Sequence, residues 1–253
     1  MNEVKREIHG VQTAYRKSGE GRPVVLLHGW GQNMLMMSAI EEHLSSFFTV
    51  YNLDFPGFGD SDKPSAVWDM REYEAFLDDF CRLNEIEHPI LIGHSFGCRV
   101  AIRYAAEHPV YKMCLTGAAG IRPKLSFSQK MKTGLFKAGK KVLVAAHQEE
   151  MLKELQKNSG SEDYRALSGV MRESFSRIVN EDLTPLLPLV KCPVLLVWGE
   201  KDEAVPLAMG KEMERLMPDA GLAVFENDDH FAYWHQPARF NAVLDAFLRE
   251  DMS

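Results

Sequence analysis

Short apolar runs recur along the chain at 24–27, 49–53, 89–92, 113–116, 194–198 and 222–225; the first runs into His28-Gly29 and each of the others into a glycine or an acid. Runs this short, without polar alternation, are the pattern of strands covered on both faces, as in a parallel sheet. Between them the apolar positions shift to helical spacing, at about 34–45, 68–84, 96–107, 207–217 and 236–249. Strand and helix in alternation predict an α/β fold, with a parallel sheet carrying helices on both faces. The N-terminus departs from this. Segments 5–8 and 12–17 flank His9-Gly10-Val11 and predict an antiparallel hairpin.

One stretch breaks the alternation. Residues 121–185 hold no convincing strand and read as helices, at 128–143, 148–157, 164–171 and a stretch ending near Val179. An insertion of this length between two strands, at the edge where loops carry function, is expected to be a cap. The expected organisation is therefore a core of residues 1–120 and 186–253 with a helical cap or lid at 121–185.

In an open parallel sheet the ligand site lies outside the carboxyl ends of the strands. The residues to examine are those just after each apolar run. They are His28-Gly29-Trp30-Gly31, Asp54, Ser95, Gly199 to Asp202, and the stretch ending at His230.

Composition narrows the function classes. The chain has 253 residues, a size that one α/β domain can reach, and a formal net charge of −7. An acidic chain has no global field to attract phosphate, so nucleic acid is not the expected partner. No apolar run approaches bilayer length and the first residues lack a signal-like apolar segment, so no stable membrane anchor is expected. Cys81, Cys98, Cys114 and Cys192 are scattered without a CxxC pair, which argues for buried thiols in a reducing cytoplasm and against a metal site.

Gly93-His94-Ser95-Phe96-Gly97 follows a predicted strand and opens a predicted helix. A serine between glycines at such a turn sits on strained backbone that lifts its hydroxyl above the sheet. The amide of Phe96 then lies at a helix N-terminus, where donors are unpaired. A serine needs a base to take its proton. Of nine histidines, His230 follows the last apparent strand and precedes the last helix; His235, at the start of that helix, ranks below it. The base needs an acid to fix its tautomer. Asp202, after the 194–198 run, is the first candidate, with Glu200 and Asp228 as rivals. Ser95, Asp202, His230 is the chain order of a nucleophile-elbow triad. Oxyanion donors would be the backbone amides of Phe96 and, from His28-Gly29-Trp30-Gly31, Trp30.

These residues resemble the α/β-hydrolase fold superfamily. The matching pieces are His28 to Gly31, the stretch Leu53-Asp54-Phe55-Pro56-Gly57-Phe58-Gly59-Asp60-Ser61, Gly93 to Gly97, Trp198 to Asp202, and Asp229-His230-Phe231. The resemblance covers nearly all of the chain outside 121–185. It implies an eight-stranded, mostly parallel sheet with a helical cap. It also implies a cofactor-free serine hydrolase with Ser95 as nucleophile, His230 as base and Asp202 as acid. Relatives that open epoxides or remove halide usually carry aspartate at the elbow, so serine disfavours those activities.

The remaining readings concern the surroundings of the site. Asp54 is expected to shape a loop by binding backbone. Segment 121–141 carries seven basic residues and no acid; a solvated helix face is the expected reason. Trp30, Phe96 and Phe231 are the expected substrate-contacting side chains, with Tyr233 and Trp234 nearby. Arg99 is expected to pair with a neighbouring acid. The expected activity is hydrolysis of small to medium carboxylic esters, acting on a small-molecule substrate. The alternatives are C–C bond hydrolysis of diketone-like substrates and a low-turnover small-molecule receptor. Monomer and homodimer stay open.

Overall fold

The computed structural model describes residues 2–121 and 169–252. The expected helices at 128–143 and 148–157, and most of 164–171, lie outside these residues, as does the basic segment from 122 onward.

Eight strands form one sheet: β1 (Asn2–Ile8), β2 (Val11–Ser18), β3 (Pro23–Leu27), β4 (Thr49–Leu53), β5 (Ile90–His94), β6 (Lys112–Thr116), β7 (Val194–Gly199) and β8 (Ala220–Phe225). Their order is β1-β2-β4-β3-β5-β6-β7-β8. β1 and β2 are antiparallel to each other and β2 to β4, while every other pair is parallel. The hairpin turn is His9-Gly10, with φ of 50° and 73°. Two left-handed residues are what a two-residue loop needs to match the twist of its strands.

The α-helices among the described residues are α1 (Ser38–Leu44), α2 (Met70–Leu83), α3 (Phe96–Glu107), α4 (Gly169–Asn180), α5 (Leu207–Leu216), α6 (Ala232–His235) and α7 (Pro237–Leu248). The central strands alternate between two cores. Val25, Leu27, Leu91, Leu115 and Leu196 pack with Tyr73, Phe76, Val100 and Met213 of α2, α3 and α5. Val24, Leu26, Ile90, Ile92 and Val197 pack with Ile40, Leu44, Phe240 and Leu244 of α1 and α7. Both faces are buried, which is why these strands read as continuous apolar runs.

The structure corrects one expected helix. The 34–45 pattern is split into a 3₁₀ turn, Met34–Met37, and α1. Tertiary bonds hold that first turn: Asp54 Oδ1 accepts from Met34 N at 2.6 Å, and Asn52 Nδ2 donates to Met34 O at 2.9 Å. Asn33 adds a local bond, its side chain accepting from Leu35 N. Farther along, the described part of α4 begins at Gly169, and residues 164–168 of the helix expected at 164–171 lie outside the described residues.

α4 packs over the carboxyl end of the sheet. Ser174 Oγ accepts from Trp68 N at 2.9 Å, and Met171 crowds Gly57 so closely that a Cβ there would overlap it. Among the described residues no helix is long and apolar enough to cross a membrane.

Candidate active site

The turn after β5 is built around two missing side chains. Ser95 has φ 49° and ψ −101°, a left-handed conformation that a non-glycine residue holds at a cost of about 1–3 kcal/mol. A Cβ on Gly93 would stand 2.8 Å from Cys98 N, and one on Gly97 would overlap the carbonyl oxygen of Leu27. The glycines are thus required by close approach of backbone to backbone. Ser95 N donates to Thr116 O at 3.0 Å, which ties the strained turn to β6.

The loops after β7 and β8 bring an acid and a histidine together. His230 Nδ1 lies 2.7 Å from Asp202 Oδ2, and the Asp202 side chain is fully buried. The other oxygen, Oδ1, accepts from Val205 N at 2.7 Å, while Val205 O accepts from the buried Trp198 Nε1 at 2.7 Å. With Nδ1–H committed to the carboxylate, Nε2 is the nitrogen that can take a proton. The two loops are bound directly: Lys201 N donates to Asp228 O, and a Cβ on Gly199 would overlap Asp229 O. His230 reaches the Ser95 turn through His94, whose ring centroid is 4.7 Å from its own.

The rivals are accounted for elsewhere. Glu200 Oε2 accepts from Asn227 N, holding the β8 turn. Asp228 Oδ1 takes His235 Nδ1 at 2.8 Å and Oδ2 takes Gln236 Nε2 at 2.6 Å. Burial alone would raise the Asp228 pKa, but these bonds and the Asp229 amide outweigh it and hold the carboxyl below its ordinary range. Asp228, Asp229 and His235 offer metal-ligand atoms within 4.8 Å of one another, but they are hydrogen-bonded among themselves.

Trp30 and Phe96, expected as oxyanion donors, stand side by side at this edge. Phe96 is the first residue of α3, and among the described residues neither amide donates a turn or loop backbone hydrogen bond. Their rings meet edge to face at 5.1 Å. Phe58 at 4.8 Å and Phe175 of α4 at 5.2 Å complete an aromatic wall around Trp30. Phe58 and Phe175 were not among the residues that the sequence pattern singled out. Phe58 lies in the glycine-rich loop read as structural, and Phe175 lies in the insertion, so neither has a local signal. Phe231 instead packs on His94 and His230, at 5.3 and 5.4 Å. Tyr233 is buried beneath, while Trp234 is exposed.

His28, which follows the first central strand, organises the turn after β3. Its Nε2 accepts from Phe55 N at 3.0 Å, so Nδ1 carries the hydrogen and donates to Gly29 O at 2.7 Å. Complete burial pushes its pKa down to about 4, against a smaller upward effect of the Gly29 bond. Asp54 binds backbone as expected: Met34 N on one oxygen and Asp60 N at 2.8 Å on the other. Burial raises its pKa in spite of those amides. Arg99 donates to the carbonyls of Ile178 and Glu181 at 2.6 and 2.5 Å, at the end of α4. The ion pair seen with Glu181 belongs to Arg103, at 2.6 Å.

A family model described as the alpha/beta hydrolase family matches residues 24–243. The chain belongs to that family. Among its relatives is the pimeloyl-acyl-carrier-protein methyl ester esterase of Proteus mirabilis, 27% identical over 89% of this chain and 92% of that protein. Another is the 2-hydroxy-6-oxo-6-phenylhexa-2,4-dienoate hydrolase of Comamonas testosteroni, 26% identical over 93% of this chain and 91% of that one. Among solved structures, a thermophilic esterase from Thermogutta terrifontis superposes with a TM-score of 0.74 at 23% identity, covering 100% of both chains. The sheet order and the helices on both faces are those of an alpha/beta hydrolase, and the chain is a hydrolase by family.

Proposed function

We propose that this hydrolase cleaves small to medium carboxylic esters through an acyl-enzyme on Ser95. The observation that carries the reading is the 2.7 Å bond from His230 Nδ1 to the buried Asp202, at the same sheet edge as the strained Ser95. Ser95 Oγ attacks the ester carbonyl carbon and its proton passes to His230 Nε2. Asp202 keeps the ring in the required tautomer and steadies the imidazolium. The amides of Trp30 and Phe96 receive the oxyanion. The C–O bond then breaks and His230 returns its proton to the leaving alcohol. Water, deprotonated by His230, attacks the acyl carbon, and Ser95 leaves with the proton. Segment 121–185 acts as the cap, with Phe175 of α4 set against Trp30 as its contribution to the acyl pocket.

The test is hydrolysis of p-nitrophenyl esters of increasing acyl length, beside Ser95→Ala. Turnover lost in the variant is the expected result. Turnover that survives in Ser95→Ala defeats the proposal.

A second reading is C–C bond hydrolysis. It is favoured by the aromatic wall of Trp30, Phe58, Phe96 and Phe175, suited to an aryl substituent, and by the Comamonas testosteroni relative. It predicts that 2-hydroxy-6-oxo-6-phenylhexa-2,4-dienoate is consumed with a kcat/KM well above that of any simple ester.

A further inference from the structure

The chain ends β6 with Thr116 and then turns at Gly117, a glycine that none of the roles above uses. Its φ is 54°. A Cβ built there would stand 2.9 Å from His230 Nδ1, 3.0 Å from its Cε1 and 3.3 Å from its carbonyl oxygen. Real side chains do not approach so closely, so one group would have to yield.

Gly117 is poorly placed to yield. Its own N–H donates to Val197 O of β7 at 3.0 Å. The carbonyl just before it, Thr116 O, accepts from Ser95 N at 3.0 Å and takes His94 Nδ1 at 3.2 Å. The backbone at 116–117 is therefore held by β7 on one side and by the Ser95 turn on the other. His230 lies in a loop, and its side chain retains 14% of its exposure. The imidazole is the movable partner.

We infer that Gly117 is a positioning residue: its bare Cα is the seat on which His230 rests while its Nδ1 meets Asp202. His94 is a second wall of that seat, buried, with its ring tilted against His230. Burial and then the neighbouring His230 keep the His94 pKa well below the ordinary histidine value, so this wall carries no charge against the base. A side chain at 117 presses on Nδ1, the atom that carries the Asp202 bond, and turns Nε2 away from Ser95. This inference rests on the reading of His230 as the base for Ser95.

The experiment labels the full chain with a fluorophosphonate, in which Ser95 Oγ attacks phosphorus, fluoride leaves and the proton passes to the base. It needs no knowledge of the natural substrate. Misplacing a catalytic group by a fraction of an ångström is expected to slow labelling about tenfold or more in Gly117→Ala. Gly117→Asn, which tolerates left-handed backbone, should behave the same way and guards against a folding defect. Thermal unfolding confirms that each labelled variant is folded.

Two readouts separate positioning from mere stability. The downfield proton resonance of the His230–Asp202 bond, assigned by its absence in His230→Ala, should shift or broaden in both Gly117 variants. In a His230→Ala background, adding Gly117→Ala should cause no further loss of labelling. An unchanged rate and resonance in folded Gly117→Ala overturns the inference. So does an equal loss in both backgrounds, which would place the effect on Ser95 itself. If His230→Ala labels as fast as wild type, the functional reading fails and the seat fails with it.

Discussion

Asp202 holds His230 with one oxygen and the Val205 amide with the other, both at 2.7 Å. The carboxylate is thus aimed by its own loop before the histidine arrives. Replacing it by asparagine keeps the volume but offers a donor where the imidazole needs an acceptor. Asp202→Asn should lower kcat by roughly a thousandfold or more, with a smaller change in KM. Glu200→Gln should leave kcat close to wild type, because among the described residues Glu200's side chain accepts from the Asn227 amide and not from His230. Steady-state kinetics of the two variants side by side checks the assignment.

The elbow glycines make a sharper statement about stability. A Cβ at position 97 collides with the Leu27 carbonyl, whereas one at Gly221, in β8, meets nothing within 4 Å. Gly97→Ala should cost about 3 kcal/mol or more, since neither backbone segment can withdraw. Gly221→Ala should be neutral or stabilising by about 0.5 kcal/mol, through reduced freedom of the unfolded chain. Urea unfolding of both variants measures the contrast.

Arg99 joins α3 to the end of α4 by donating to two backbone carbonyls. Arg99→Ala leaves those carbonyls without their donor and should destabilise the fold by about 1–3 kcal/mol. Because α4 carries Phe175 against Trp30, the same variant should raise KM more than it lowers kcat. A fall in kcat alone, with KM and stability unchanged, would contradict this account.

His28 gives the acid side of the stability profile. Its pKa in the fold is about 4, below the ordinary histidine value near 6.5. The unfolded chain therefore binds a proton first. The contribution of the neutral ring is complete above about pH 6.5 and is lost as pH falls toward 4. At pH 5 the loss from this group alone should be about 2 kcal/mol. Nitrogen NMR should find His28 in its Nδ1–H form from pH 8 down to pH 5; titration near 6.5 would refute the assignment.

Much of the fold was legible because it is written in short-range patterns. Strands buried on both faces read as apolar runs, and helices such as α2 bury a face of residues at helical spacing, Met70, Tyr73, Phe76, Leu77 and Phe80. The 34–45 segment was misread as a single helix because the bonds that tighten its first turn come from Asn52 and Asp54, distant in sequence. The pattern has no term for a side chain arriving from another strand.

The sequence by itself determined the sheet class, the chain order of Ser95, Asp202 and His230, and the need for glycine around the elbow. Those follow from periodicity and from the rule that function gathers at strand ends. Only the tertiary structure showed which of Asp202, Glu200 and Asp228 meets His230: Asp202 does, while Glu200 and Asp228 bind other partners. It alone showed His28 as the clasp of the turn after β3, Phe58 and Phe175 as the wall beside Trp30, and Gly117 as the surface beneath His230. Each of these depends on a contact between residues far apart in the chain. Such distances are set by packing, which a linear pattern does not record.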